Sequence, residues 1–462
     1  MNDLLITFYG DDFTGSTDSM ECLELNGIPA VLFLDPPTPE QVQRFPDVCG
    51  VGIAGISRTL SPEQMPAELV PKFEALRALG APFVHYKMCS TFDSSPTVGS
   101  VGRAIDIGWE VFQPSMVPMM VGAPFLRRYV VFGNLFARVG ETTYRLDRHP
   151  TMSKHPITPM TEADLRLHLA KQTDRPSELV DLWHMDTCSD QELDAFVQRL
   201  RDGGAQIIFF DTLTDRHMLQ IGRIVWNLHG EQPVFLVGSS GFEFALGMYL
   251  QSIGLLSKPA PFTSPRRADQ LLVMSGSCAP PTAEQIDFVL QRGFSGIRLD
   301  APALVDVETQ PATRSAAVAT ALDRLERGDS VVLYSALGPD DPAIHATRAR
   351  MEALGQSPQT IGPQLGAQQG LIVREILERR PTLRRVVVCG GDTCGYASRQ
   401  LAIYALRVII PVVPGAPLCR ASSNLTRFDG LQIVLKGGQN GAADYLARVY
   451  YGLQPGDSMP AA

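Results

Sequence analysis

The chain has no run of about 18 or more consecutive apolar residues, so no segment is long enough to cross a membrane as a helix. It has no Lys/Arg run longer than a pair, and its formal net charge is −9. A nucleic-acid surface, which needs a clustered basic field, is excluded, and any phosphate handled is small and held locally. Cys-x-x-Cys and zinc-type pairing with histidine are also missing. The eight cysteines (22, 49, 89, 188, 278, 389, 394 and 419) are scattered, as expected of free thiols in a reducing cytoplasm. The start lacks a basic stretch, an apolar stretch and a small-residue cleavage site in sequence, so no signal peptide is expected and the protein is expected to be cytoplasmic.

What is present fits a soluble α/β protein: 462 residues, 45% hydrophobic and 19% charged. That length exceeds the roughly 250–300 residues at which single cores stop growing, so two domains are expected. Short β-type runs alternate with amphipathic stretches throughout, the pattern of mainly parallel sheets with helical crossovers. In the first half, strands are expected at 4–8, 30–34, 48–54, 83–87, 128–132, 179–183, 206–211 and 233–237. Thr161 to Asp164 and Ser189 to Glu192 each place a hydroxyl three residues before a carboxylate, the spacing of a capping box. Residues 133–159 are expected to be a long loop and a candidate substrate lid. Prolines interrupt the periodicity around 257–269, so the domains are set at 1–256 and 270–462 with a linker between. The second half repeats the alternation, with strands expected at 270–274, 296–299, 330–334, 385–389, 408–413 and 431–435.

Ligands of open parallel sheets bind beyond the carboxyl ends of strands. There stands "YGDDFTGSTD", followed by a helix expected from about Ser16 to Gly27. Asp11 and Asp12 suit either a helix cap with a turn or a catalytic site, and both readings stay open. A second strand end runs into "YKMCSTFDSS": Lys87 with Ser90, Thr91, Asp93 and Ser94 would suit a small hydroxylated anion, or would form a turn that caps the next helix. His155 would reach a substrate or order its own loop. Three glycine turns, "SGSCAPPT", "GGDTCG" and "KGGQNG", each follow an expected strand in the second half. Glycine lets backbone N–H groups approach a phosphate, so three such turns in one domain favour a nucleotide site over ordinary connections. Neither G-x-G-x-x-G nor the Walker pattern occurs in the required context.

In order, "DDFTGSTD", "YKMCSTFDSS", "KHPITPM", "VGSSG", "SGSC", "GGDTCG", "PGAP" and "KGGQNG" resemble the four-carbon acid sugar kinases over essentially the whole chain. The resemblance implies an N-terminal sugar-acid-binding domain, a C-terminal nucleotide-binding domain and an active site in the cleft between them. It implies ATP with Mg²⁺, and a role in carbohydrate metabolism as a phosphotransferase acting on an alcohol. "CSTFDS" with "HPITPM" resembles the 3-oxo-tetronate kinase branch, which implies transfer to the terminal hydroxyl of a short 3-oxo sugar acid. Residues 122–133, "GAPFLRRYVVFG", depart from the family's "GRT" stretch, and 3-oxo-isoapionate, threonate or erythronate is the alternative acceptor. The family's "GGETSG", "PGVPW" and "KSGNFG" stand here as "GGDTCG", "PGAPL" and "KGGQNG".

The implied catalytic residues are Asp12, with Asp11 in reserve, and Lys87. Thr14, Asp18, Arg58, Ser90, Thr91, Asp93, Ser94 and His155 would bind the sugar acid. Ser275, Gly276, Ser277, Gly390, Gly391, Asp392, Thr393, Cys394, Gly415, Gly437, Gly438 and Gly441 would bind the nucleotide. No metal ligand is implied from a protein motif, and assembly into a homo-oligomer is left open. A non-catalytic sugar-acid sensor would share two α/β lobes but has no need of three phosphate-type loops in one of them. A dehydrogenase would need the dinucleotide fingerprint.

Overall fold

A computed structural model describes residues 4–155, 157–230 and 232–460, with the side chains at 359 and 392 outside the description. The chain divides into two units at Ala260/Pro261, and each has its own apolar core.

In the first unit, eight described strands run parallel in the order Ala30–Phe33, Gly50–Ala54, Ile6–Gly10, Phe83–Lys87, Val234–Gly238, Val117–Met120, Ile207–Phe210 and Ser177–Val180. Buried on both faces, most of them read as continuous apolar runs, such as Ile-Ile-Phe-Phe at Ile207–Phe210. The chain leaves Ile6–Gly10 toward one edge of the sheet and Phe83–Lys87 toward the other. These two neighbours therefore flank a topological switch point, where the loops part and leave a crevice at the strands' carboxyl ends.

An aromatic cluster fixes that end of the sheet. Tyr9 lies edge-on to Phe73 at 5.9 Å and stacks on Tyr86 at 5.8 Å, and Phe73 carries the cluster back to Phe235 (5.7 Å), near the start of its strand. The Tyr9 hydroxyl accepts the N–H groups of Ile56 and Ser57 at 3.2 and 3.3 Å and donates to Glu68 at 2.9 Å. Burial pushes the Tyr9 and Tyr86 phenols well up, so both stay neutral donors. The loop after Gly50–Ala54 is thus held by a core side chain.

Several expectations need correction, and the strand expected at 179–183 is Ser177–Val180, with a helix from Leu182. Residues 133–159 are not a plain loop: Arg128–Val131, Asn134–Val139 and Thr142–Arg145 form a separate antiparallel sheet. The strand expected at 128–132 belongs to it, not to the parallel series. Its first turn has positive φ at Phe132 (48°) and Gly133 (75°), the conformation that matches strand twist in a two-residue hairpin. The helix after the acidic pair spans Phe13–Leu25 and starts earlier than expected, because Asp12 itself is the cap. Thr161 caps nothing; Asp164 caps the short helix Leu165–Leu169. The capping box at Ser189 and Glu192 is present.

In the second unit Ser295–Arg298, Val331–Tyr334, Leu272–Ser275, Arg385–Cys389 and Gln432–Lys436 lie parallel in that order. Leu418–Ser423 and Ile403–Ile410 add antiparallel strands beyond Gln432–Lys436, the first of them unanticipated and the second beginning five residues before the expected 408. The chain leaves Leu272–Ser275 and Arg385–Cys389 in opposite directions, which makes a second switch point between them.

Candidate active site at two strand-end clusters

At the first switch point the acidic pair and two cations form one network. Asp11, almost fully buried, accepts from Arg58 Nη2 at 2.7 Å and Nε at 3.0 Å, a two-pronged pairing that suits the guanidinium fork. Asp12 Oδ2 accepts from Arg58 Nη1 at 2.8 Å, while its Oδ1 accepts from the Gly15 N–H at 2.7 Å and caps the helix. The cap and the charged site are therefore the same residue. Lys87, buried at the end of its strand, pairs with Asp18 Oδ2 at 3.0 Å. Gly15 permits this crowding, since a Cβ there would lie 2.5 Å from Asp12 Oδ1 and 2.7 Å from Lys87 Nζ. Asp11 N–H donates to the Lys87 carbonyl at 2.9 Å and Arg58 N–H to the Asp11 carbonyl at 3.0 Å, so backbone bonds lock three elements together.

Electrostatics follow from burial and pairing. Burial raises Asp11, the Arg58 guanidinium opposes that, and Asp12 adds to the rise. For Lys87, burial works to lower the value, but the carboxylates of Asp18, Asp12 and Asp11 outweigh it and hold the ammonium above its ordinary value. Arg58 is held up in the same way by Asp11 and Asp12 against its burial. The cluster sets three carboxylates against two cations, so Arg58 and Lys87 are committed partners rather than free anion receptors.

The neighbouring "CSTFDSS" segment divides in two. Thr91 Oγ1 donates to Asp93 Oδ1 at 2.7 Å and lies 2.9 Å from Cys89 Sγ, which burial and the Asp93 charge push up to about 11. Ser94 is turned into the protein, where its hydroxyl accepts from Gln172 Nε2 at 2.9 Å and its carbonyl meets His168 Nε2 at 3.1 Å. Phe92 sits between them in the left-handed region (φ 56°), packed edge-on to His168 at 5.4 Å. A non-glycine residue there marks a segment that its surroundings over-determine. Thr14 lies in the first turn of the capped helix, and Ser90 is half-buried at the mouth of the segment. His155 Nδ1 meets Thr158 N–H at 3.1 Å and Oγ1 at 2.9 Å, bonds within its own turn.

Sequence reasoning placed Arg128 in the departing segment that bears on the acceptor but assigned it no contact. It opens the antiparallel sheet, its Nη1 donates to the carbonyls of Leu126 and Arg127 at 3.0 and 3.2 Å, and its buried Nε has no partner among the described residues. Burial pushes this guanidinium down, opposed by the nearby Cys89 and Asp93. An under-satisfied cation beside the substrate-type segment is a signal only a structure supplies.

At the second switch point a cavity of about 490 Å³ opens where the glycine turns converge, within the usual range for small-molecule sites. Gly276, Ser277, Gly390, Gly391, Thr393 and Gly438 line one part. A Cβ on Gly276 would lie 2.1 Å from Thr393 Oγ1, and Gly390 adopts φ 114°, which only glycine takes readily. Gly390 also precedes the helix Gly391–Gln400, whose first N–H groups point to the cavity end of its strand. An apolar wall from Ala301, Ala336, Ile344, Ile361 and Leu365 forms the rest, and none of these carried a sequence signal.

Gln369 was also missed: it accepts from Thr393 Oγ1 at 3.2 Å and reaches the Ser275 carbonyl and Ser335 Oγ at 3.4 Å, tying three strand ends. Lys436 underlies the third turn, donating to Thr282 Oγ1 at 3.1 Å and the Gly437 carbonyl at 2.9 Å.

Other expected nucleotide residues fall behind this surface. Ser275 is buried at the strand end and Cys394 is buried with its thiol on the Val388 carbonyl at 3.3 Å. Gly415, Gly437 and Gly441 are not in the lining; Asn440 and Tyr445 tie the third turn to the carbonyls of Pro414 and Ala416 at 3.3 and 2.9 Å. The Asp392 side chain lies outside the described residues.

A charged acceptor-type cluster in one α/β unit and a glycine-lined, partly apolar cavity in the other define a phosphotransferase with separate sugar and nucleotide units. Residues 6–246 match the family described as sugar-binding N-terminal domain, and residues 272–446 the family described as nucleotide-binding C-terminal domain. The chain is 46% identical over 449 residues to the 3-oxo-isoapionate kinase of Paraburkholderia graminis, covering 97% of this chain and 94% of that one. It is 28% identical to the 3-oxo-tetronate kinase of Cupriavidus necator (96% and 95% covered) and 26% identical to that of Pectobacterium atrosepticum (95% and 96%). The crystal structure of Haemophilus influenzae protein HI1011 has the same fold, with a TM-score of 0.72 at 19% identity over 96% of this chain and 98% of that one. The chain belongs to the four-carbon acid sugar kinase family, and it is an ATP-dependent sugar-acid kinase.

Proposed function

We propose that the acceptor is 3-oxo-isoapionate or a close branched 3-oxo sugar acid, phosphorylated on a terminal hydroxyl. The observation that carries this reading is the 46% identity to a 3-oxo-isoapionate kinase over nearly the whole chain, against 26–28% for the two 3-oxo-tetronate kinases. The same segment that departs from the family pattern, residues 122–133, contains Arg128, an under-satisfied cation beside Asp93. In this reading Arg128 holds the acid's carboxylate, while Ser90, Thr91 and Asp93 bind its hydroxyl and keto groups.

Asp12 is the proposed base or orienter. It is the more exposed of the acidic pair, and Arg58, fixed on Asp11, holds its second oxygen in place. As the acceptor oxygen forms its bond to the γ-phosphorus and the bond to the ADP oxygen breaks, the hydroxyl proton passes to Asp12. Phosphoryl transfer asks mainly for such positioning and for charge neutralisation. Gly276, Gly390 and Gly438 leave backbone surface free for the phosphates, and the apolar wall suits the adenine ring. Among the described residues no group of three or more His, Cys, Asp or Glu is arranged to hold a metal, so Mg²⁺ is proposed to arrive on the ATP phosphates. When bound it would neutralise charge that develops on the phosphate oxygens. We read the enzyme as cytoplasmic, where ATP and reduced thiols are both available.

The test is ADP release with Mg²⁺·ATP and a panel of 3-oxo-isoapionate, 3-oxo-tetronates, threonate and erythronate. The expected result is a kcat/KM for 3-oxo-isoapionate about tenfold or more above the others, a modest discrimination for one pocket. A preference for a 3-oxo-tetronate would move the acceptor to that branch, and no turnover on any acid would overturn the assignment.

A further inference from the structure

The second unit has another cavity at the opposite end of the same strands. Residues just ahead of Leu272–Ser275, together with the first residues of Arg385–Cys389 and Gln432–Lys436, line a space of about 450 Å³. The glycine turns follow the far ends of these strands, some 15 Å away at about 3.3 Å per residue. Five of the eleven lining residues are arginines (266, 267, 380, 384 and 385), and Asp269 is the one carboxylate. In a chain with net charge −9 this is a concentrated positive field.

Among the described residues none of these five guanidinium groups makes an ion pair. The acids on the adjoining helix are taken: Glu378 pairs with Arg374, and Glu375 with Arg314 and Arg379. Carbonyl oxygens fix the inner arginines instead. Arg385, buried, donates to the carbonyls of Val449, Tyr450 and Arg266 at 2.9, 3.0 and 2.9 Å, and burial pushes it down to about 10 with no acidic group opposing. Arg384 donates to the Asp429 carbonyl at 2.8 Å and Arg380 to the Leu325 carbonyl at 3.1 Å, while the buried Nε of Arg380 has no partner. A network that served only to staple carbonyls would end there. Arg266 and Arg267 add two exposed guanidiniums at the rim, and Arg267 lies over the Tyr450 ring at 5.8 Å.

We infer that this cavity binds a small, multiply charged phosphate compound at a site separate from the nucleotide cavity. Arg385 spends its donors on those carbonyls and on Gln432 Oε1 at 2.7 Å, so it supplies charge, while Arg266 and Arg267 at the rim supply donors; a phosphate accepts hydrogen bonds in several directions, and the uncompensated charge exceeds what a single carboxylate would neutralise.

The experiment is calorimetric titration of pyrophosphate into the full chain saturated with a non-hydrolysable ATP analogue, so that the nucleotide cavity is closed to the probe. Saturable binding is expected, weakened about tenfold or more in Arg266→Gln/Arg267→Gln with unchanged melting temperature and basal turnover. Among the described residues these two side chains make no hydrogen bond or ion pair, and Arg267 touches only the Tyr450 ring, so the variant reads binding rather than folding. Inorganic phosphate and citrate are the comparison arms, each expected to bind more weakly than pyrophosphate. Absence of saturable binding, binding that the ATP analogue abolishes, or equal binding by the variant would overturn the site. Citrate binding more tightly than pyrophosphate would overturn the phosphate assignment.

Discussion

The two strand-end clusters are built by opposite means. The first unit concentrates charge: Asp11, Asp12 and Asp18 against Arg58 and Lys87, each cation held by a carboxylate within 3.0 Å. The second unit removes side chains: at Gly276 even a methyl group would meet Thr393, and the surface offered is backbone. In the proposed mechanism the difference follows from what each cluster does. A cluster that orients a hydroxyl and takes its proton needs charged groups locked in geometry. A cradle for phosphates needs close approach, and an excess of fixed cations there would hold ADP after transfer as firmly as ATP before it.

The largest break in this contrast comes from Arg58→Met. It leaves Asp11 buried without its partner, so denaturant melts should show a loss of about 3–5 kcal/mol, and turnover should vanish. Adding Asp11→Asn should restore much of the stability and none of the turnover; recovery of activity in the double variant would show that Arg58 only neutralises Asp11. Gly276→Ala should raise the KM for ATP about tenfold or more while leaving the sugar-acid KM nearly unchanged, because the added methyl pushes against Thr393 and Gln369. Arg128→Gln sharpens the comparison from the other side: the sugar-acid KM should rise about tenfold, as for loss of one charged hydrogen bond, with ATP unaffected. An unchanged sugar-acid KM would remove Arg128 from the acceptor site.

The smallest effect is a pH dependence. His168, held below its ordinary value of 6.5 mainly by burial, packs on Phe92 and the Ser94 carbonyl. Between its lowered folded value and 6.5 the unfolded chain binds more protons than the native one. Stability therefore rises with pH through that window and falls as the pH drops below 6.5. His168→Gln should flatten that slope in melting curves; an unchanged slope would place its origin elsewhere.

Much of this division was legible from local pattern. The strands at Phe83–Lys87 and Arg385–Cys389 follow directly from their apolar runs and the polar or glycine residues after them. What stayed hidden was mostly long-range. Nothing near Asp11 indicates that its partner is Arg58, 47 positions away, or that Tyr9 anchors the loop that carries it. Of the hairpin sheet at 128–145 only the first strand is anticipated; Asn134–Val139 and Thr142–Arg145 fall within the expected loop, although Leu135 and Ala137 alternate inward between half-buried neighbours. Thr161 failed as a cap because Asp164, three residues on, meets the helix start first. The apolar wall of the glycine-lined cavity comes from four segments with no phosphate pattern, and only packing brings them together.

The most direct measurement is Asp12→Asn, assayed for turnover with 3-oxo-isoapionate and for ATP affinity by calorimetry. The amide keeps an oxygen for the Gly15 cap, so the fold is retained while the proton acceptor is lost. The account predicts turnover reduced by about 10²–10⁴ with ATP affinity within about twofold of the parent. Near-normal turnover, or a loss of ATP affinity as large as the loss of turnover, would contradict the division of labour between the two units.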